Sequence, residues 1–142
     1  MLDGFRDFSQ LLSIVLFGFS CGCAWIAAIV GPNTSFDRLD YSRADGHVRL
    51  LLINASNHIA FALLAAAALS FLAGAVGAGV VGALAALGFF SNRWTLARRT
   101  KEERAPKGVR AREKTKRVVA VSLTLIFTLV AAIATALAVA RI

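Results

Sequence analysis

The chain has 142 residues, 58% of them hydrophobic and 17% charged, with a mean hydropathy of +0.69. That leaves too little polar surface to cover a soluble globule, which excludes a soluble enzyme and points to an all-α, polytopic membrane protein forming a single domain. The net charge of +8 is not spread over the sequence: Arg93, Arg98, Arg99, Lys101, Arg104, Lys107, Arg110, Arg112, Lys114, Lys116 and Arg117 face only Glu102, Glu103 and Glu113, while five arginines and five aspartates balance elsewhere.

A hydrocarbon core of ~30 Å takes roughly 20 apolar residues as a helix, because lipid cannot satisfy an open backbone. The first such span is expected over residues 11–30, ended by Gly31-Pro32. Its leader, "MLDGFRDFSQ", is net negative where a signal peptide requires a positive start, so the span is expected to be retained. Inside it, Cys21 and Cys23 stand two residues apart, about 200° around a helix. They cannot share a metal ion or form a disulfide, and they read as small buried hydrophobes.

The connection 31–49 contains "PNTSFDRLDYSRADGHVR". Thr34 or Ser35 is expected to cap a short interfacial helix, with Asp37 in its first turn and Phe36 and Leu39 on one face.

From Leu50 to Phe90 no residue is charged. As one helix this stretch would run about 60 Å, twice what a span needs, so it is expected to fold back at the glycine-dense "LAGAVGAG" into spans over 50–73 and 75–92. The second span opens with "NASNH", in which Asn54, Asn57 and His58 fall at i, i+3 and i+4 and form one polar patch near the cytoplasmic end. Polar side chains in a span normally face the protein interior or a water-filled cavity. The patch is therefore expected to join helices by hydrogen bonds or, as a site, to handle protons, ions or a headgroup. A haem ligand pair is not expected, since His47 lies eleven residues from His58, about 16 Å along a helix. In the third span, Ala75, Ala78, Gly79, Gly82 and Ala86 form a stripe of small residues that lets another helix backbone approach.

The basic segment 93–117 is expected to be a long cytoplasmic connection. Arg98 with Glu102, Arg99 with Glu103 and Glu113 with Arg117 have helical i, i+4 spacing, and Pro106 and Gly108 mark a turn between two helical extensions. Its eleven cations suit anionic lipid headgroups, at about 1 kcal/mol per residue near the surface, or an acidic protein partner. Nucleic acid is not expected, because Trp94 is the only aromatic interleaved and reads as an interface anchor. The fourth span is expected over 118–140, with Thr124, Thr128 and Thr135 repeating near one face. Placing both basic connections in the cytoplasm leaves only Arg6 and Arg141 outside, so both termini are expected outside, in a bacterial inner membrane.

In outline, four spans and an Asn-centred motif opening the second resemble the membrane-associated eicosanoid and glutathione metabolism family, which would imply a lipid- or thiol-modifying membrane enzyme. Asn54 matches that family's Asn, but Asn57 stands at its Glu, the following proline is missing and Arg49 is out of register by one. Membership is not assigned. No acid, and no base other than His58, falls within any span, so a hydrolase or membrane protease is not expected, nor a metal or other cofactor, and a lipid- or thiol-modifying membrane enzyme stands as the third reading, after the two that follow. The leading expectation is a non-catalytic accessory subunit that packs on other membrane proteins or on copies of itself. The next is a homo-oligomeric channel or transporter lined by Asn54, Asn57 and His58.

Overall fold

The computed structural model describes the backbone of residues 2–95 and 108–142, and the side chains of 3–40, 43–92 and 118–142. The described residues are helical throughout, apart from short connections. Helix α1 (Leu2–Trp25) runs through a π-helical turn at Ile26–Val30 into α2 (Gly31–Arg38), followed by α3 (Tyr41–Ala73), α4 (Val76–Thr95) and α5 (Gly108–Ala140). Three stretches are long and apolar enough to cross a membrane: Asp3–Arg38, Arg43–Ala73 and Val118–Ala140. Helix α4 has a shorter apolar segment, Val76–Asn92.

Gly31-Pro32 does not end the first helix. Pro32 has no N–H and its ring would collide with the carbonyl four residues back. The π turn removes the conflict by widening the coil just before it, with the Gly31 N–H bonded to the Ile26 carbonyl five residues back. Helix α2 then continues, and neither Thr34 nor Ser35 is a cap. Both hydroxyls donate to carbonyls one turn earlier, Thr34 to Val30 and Ser35 to Gly31 at 2.7 Å. After the extended Leu39, α2 folds back along the start of α3. Ser35 Oγ meets His47 Nδ1 at 2.9 Å, and Phe36 packs against buried Val48, Leu52 and Ala120. The connection 31–49 is thus helical except at Leu39 and Asp40.

The turn within the uncharged stretch lies where the glycines suggested. Gly74, at φ +89°, ends α3 in a left-handed conformation that a side chain would strain. The Gly74 N–H bonds to the Phe71 carbonyl and the Ala75 N–H to that of Ser70, which satisfies two carbonyls of the last turn. Helix α5 closes the same way, with Arg141 in the left-handed position (φ 57°), its N–H on Ala138 and that of Ile142 on Leu137.

Neighbouring helices are antiparallel: α1 packs on α3 and α5, and α4 packs on the same two from the other side. Arg141 pairs with Asp7 at 2.9 Å, and the Ile142 carbonyl accepts the Ala78 N–H. The beginning of α1, the end of α5 and the Gly74 turn therefore share one end of the bundle. The Leu39-Asp40 connection lies at the other.

The core is built from alanine, with Phe17, Ile59, Leu63 and Phe89 inserted. Helix α4 receives phenyl rings as well as backbone on its small residues. A methyl added at Gly82 would stand 2.5 Å from Cε1 and Cζ of Phe17, itself fully buried, and one at Gly79 would stand 2.8 Å from the Phe71 ring. Gly88 likewise accommodates Phe127. Gly18 and Gly22 on α1 have nothing within 4 Å of such a methyl. Gly82→Ala is expected to destabilise the bundle by about 1–3 kcal/mol, because the Phe17 ring has no room to move. Gly22→Ala is expected to stabilise it by up to about 1 kcal/mol through helix propensity. Reversible unfolding in mixed micelles, followed by circular dichroism, measures both signs.

Candidate functional site

Polar groups within the bundle fall into an inward set and an outward set, and "NASNH" is divided between them. Its inward member is Ser56. Buried Asn92 on α4 donates through Nδ2 to Ser56 Oγ on α3 (3.1 Å) and to Thr124 Oγ1 on α5 (2.8 Å), and Thr124 donates onward to the Ala120 carbonyl at 2.8 Å. One amide thus joins three helices, with both of its Nδ2 hydrogens placed and the Thr124 hydrogen passed on to the backbone. Neither Asn92 nor Ser56 is among the residues the sequence singles out. The available signal was an amide ending the apolar run of α4, but its partners depend on register across two interfaces.

The expected inward patch is not where the i, i+3, i+4 spacing suggested. Asn54 and His58 are exposed on the outer surface of α3, and Asn57 is half-buried, with its Oδ1 enclosed and without a hydrogen-bond partner. The reason is angular: the buried stripe of α3 runs Leu52, Ser56, Ile59, Leu63, Ala66, Ser70, alternating four and three residues. Asn54 lies about 200° around the helix from Ser56. Beside His58, a groove of about 200 Å³ runs between α1 and α3, lined by Phe19, Ser20, Cys23, Ala55, His58, Ile59 and Ala62.

The two cysteines face different neighbours, as their spacing requires. Cys23 lines that groove, while Cys21 Sγ lies 4.0 Å from the Thr128 carbonyl and from Thr135 Oγ1 on α5. Both are free thiols. Thr128 and Thr135 spend their hydroxyl hydrogens on their own helix, bonding to the Thr124 and Ala131 carbonyls at 2.7 and 2.9 Å. Ala75, Ala78, Gly79, Gly82 and Ala86 are all buried. Of the basic residues, Arg93 lies on the last turns of α4, and Arg110, Arg112, Lys114, Lys116 and Arg117 lie on the first turns of α5. Arg98, Arg99, Lys101, Arg104 and Lys107, with the Arg98–Glu102 and Arg99–Glu103 pairings, lie outside the described residues.

At the opposite end Gln10, nearly buried, donates through Nε2 to the Ala138 carbonyl. Above it Asp3, Arg6, Asp7, Ala73 and Arg141 complete a polar cleft of about 320 Å³. Among the described residues no group of three or more His, Cys, Asp and Glu is placed to hold a metal ion.

The inward and outward sets should respond differently to substitution. Asn92→Leu removes two interhelical bonds, each worth ~0.6 kcal/mol on average in a membrane, and leaves Ser56 buried alone, so a loss of about 1–2 kcal/mol is expected. Thr124→Val, which removes one acceptor, is expected to cost less. Unfolding in mixed micelles measures the order. Comparison of the chain with protein-family models, curated proteins and solved structures returns no match to any of them.

Proposed function

We propose that this chain is a non-catalytic, four-span subunit of a membrane complex, docked through the α1/α3 face that carries Asn54, His58 and the groove beside them. The observation that carries the reading is the outward placement of an amide and an imidazole on a span. Counting back from the Gly74 turn, twenty residues of α3 cover about 30 Å, which puts Asn54 at the inner edge of the hydrocarbon and His58 roughly one turn inside it. An amide without a partner in an apolar medium costs on the order of 2–7 kcal/mol, whereas a partner protein supplies the missing bonds and covers the groove.

In this reading α4 is the remaining span: its 20 residues extend about 30 Å. The basic connection between α4 and α5 faces the cytoplasm of a bacterial inner membrane, where it meets anionic headgroups, and the end carrying Asp7 and Arg141 faces outward. Positive-inside bias and the shared end of α1 and α5 support that orientation.

A second reading draws on the same exposed face. If the partner is another copy of this chain, Asn54, Asn57 and His58 line the seam between copies and form a polar pathway, since the core of one bundle is closed by Phe17, Leu63 and Phe89.

Mild-detergent extraction followed by mass determination separates the readings. The subunit reading expects different polypeptides co-purifying with the wild-type chain in fixed ratio. It also expects their loss from Asn54→Leu/His58→Leu, with the isolated chain's stability changed by no more than about 0.5 kcal/mol. Partners retained by the double variant, or a wild-type monomer, would overturn it. A homo-oligomer with liposome ion flux, abolished by the same substitutions, establishes the second reading instead.

A further inference from the structure

The polar cleft at the other end of the bundle is independent of that docking face. Asp3, Arg6, Asp7 and Gln10 recur at three- and four-residue spacing, so they share one face of α1, and Arg141 closes the cleft from α5. The Asp7 carboxylate is taken up by Arg141 at 2.9 Å. Among the described residues neither Asp3 nor Arg6 has an ion-pair partner. The lining is completed by the Gln10 side chain, whose amide nitrogen is already taken by the Ala138 carbonyl, and by Ala73. At about 320 Å³ the cleft is at the lower end of the size range of small-molecule sites.

The two unpaired charges are ordered along the axis of α1. Arg6 is the nearer to the apolar band that begins at Leu11, and Asp3 stands about 4.5 Å farther out, at 1.5 Å per residue. A ligand matching this pair has an anion toward the hydrocarbon and a cation about one helical turn outside it. We propose that the cleft binds a phosphoethanolamine group, with the phosphate on the Arg6 guanidinium and the ammonium on the Asp3 carboxylate. In a phosphatidylethanolamine headgroup the phosphate lies next to the glycerol and the ammonium beyond a two-carbon bridge, which is the order the cleft presents. A primary ammonium donates hydrogen bonds to Asp3; a quaternary choline cannot, and a phosphatidylglycerol leaves Asp3 facing an uncharged alcohol with a second anion nearby.

The test uses the full chain in detergent, with native mass spectrometry of lipid retained from equimolar phosphatidylethanolamine, phosphatidylcholine and phosphatidylglycerol. Phosphatidylethanolamine should exceed phosphatidylglycerol by about tenfold, the equivalent of one charge-assisted hydrogen bond at an accessible site. Asp3→Asn should level that preference while keeping total phospholipid. Arg6→Gln should lower retention of all three. Both side chains are exposed, and an unchanged circular dichroism melt shows that the variants fold. Competition with soluble O-phosphoethanolamine identifies the source: retained lipid assigns the site to the bilayer headgroup, and displacement assigns the same chemistry to the free ester. Equal retention of phosphatidylethanolamine and phosphatidylglycerol by the wild type, or a preference that survives Asp3→Asn, overturns the proposal.

Discussion

In a hydrocarbon solvent apolarity does not choose which side of a helix turns inward, because lipid tails are as apolar as leucine. What remains is contact: helices associate where small side chains let atoms approach closely and where a large one finds a matching recess. Most of this bundle follows from that constraint. Phe19, Phe61, Leu87 and Leu129 point outward, while Ala24, Ala60, Ala66, Ala85 and Ala134 form the interfaces. The fully buried Phe17 ring is admitted by a glycine recess at Gly82. The stripe through Leu52, Ser56, Ile59, Leu63, Ala66 and Ser70 is selected by fit rather than by hydropathy, so serine serves in it as well as leucine.

The second requirement, that every backbone group be satisfied inside the chain, shapes the ends. Helices α3 and α5 both stop with paired bonds back into their last turns, and the Ile142 carbonyl takes a donor from the first turn of α4. Proline in the first helix is tolerated because the π turn supplies a different register for the surrounding carbonyls. The paired bonds and the Ile142 contact tie one end of the bundle, and the π turn lies toward the other. At the opposite end the second cluster, Val48, Leu52 and Ala120 with Phe36, lies beyond the Asn92 junction.

The all-helical fold, the turn at Gly74 and the divergence of Cys21 from Cys23 were legible in the sequence, because each follows from length or helical geometry alone. The fate of Gly31-Pro32 was not. A proline stops a helix unless the preceding turn can expand, and nothing local to that dipeptide announces the expansion. Thr34 and Ser35 depart from the expected cap for a related reason: a hydroxyl that caps a helix in water can equally bond to the carbonyl one turn back, and the continued helix decides which. The orientation of "NASNH" was readable in principle. Both Asn54/Asn57/His58 and Leu52/Ser56/Ile59 satisfy a helical period, and polarity suggested the first stripe. The size rule for helices packed in lipid selects the second.

That distinction changes what the polar residues of α3 mean. Ser56 is glue: its hydroxyl accepts from Asn92 inside the chain, so removing one partner strands the other, whereas replacing the set with apolar groups of the same shape can be nearly neutral. Asn54 and His58 make no such junction: both are exposed, and His58 borders the groove between α1 and α3. Had the spacing pointed inward, the patch would have been explained by packing. Because Asn54 and His58 are exposed, packing within the bundle does not account for their polarity.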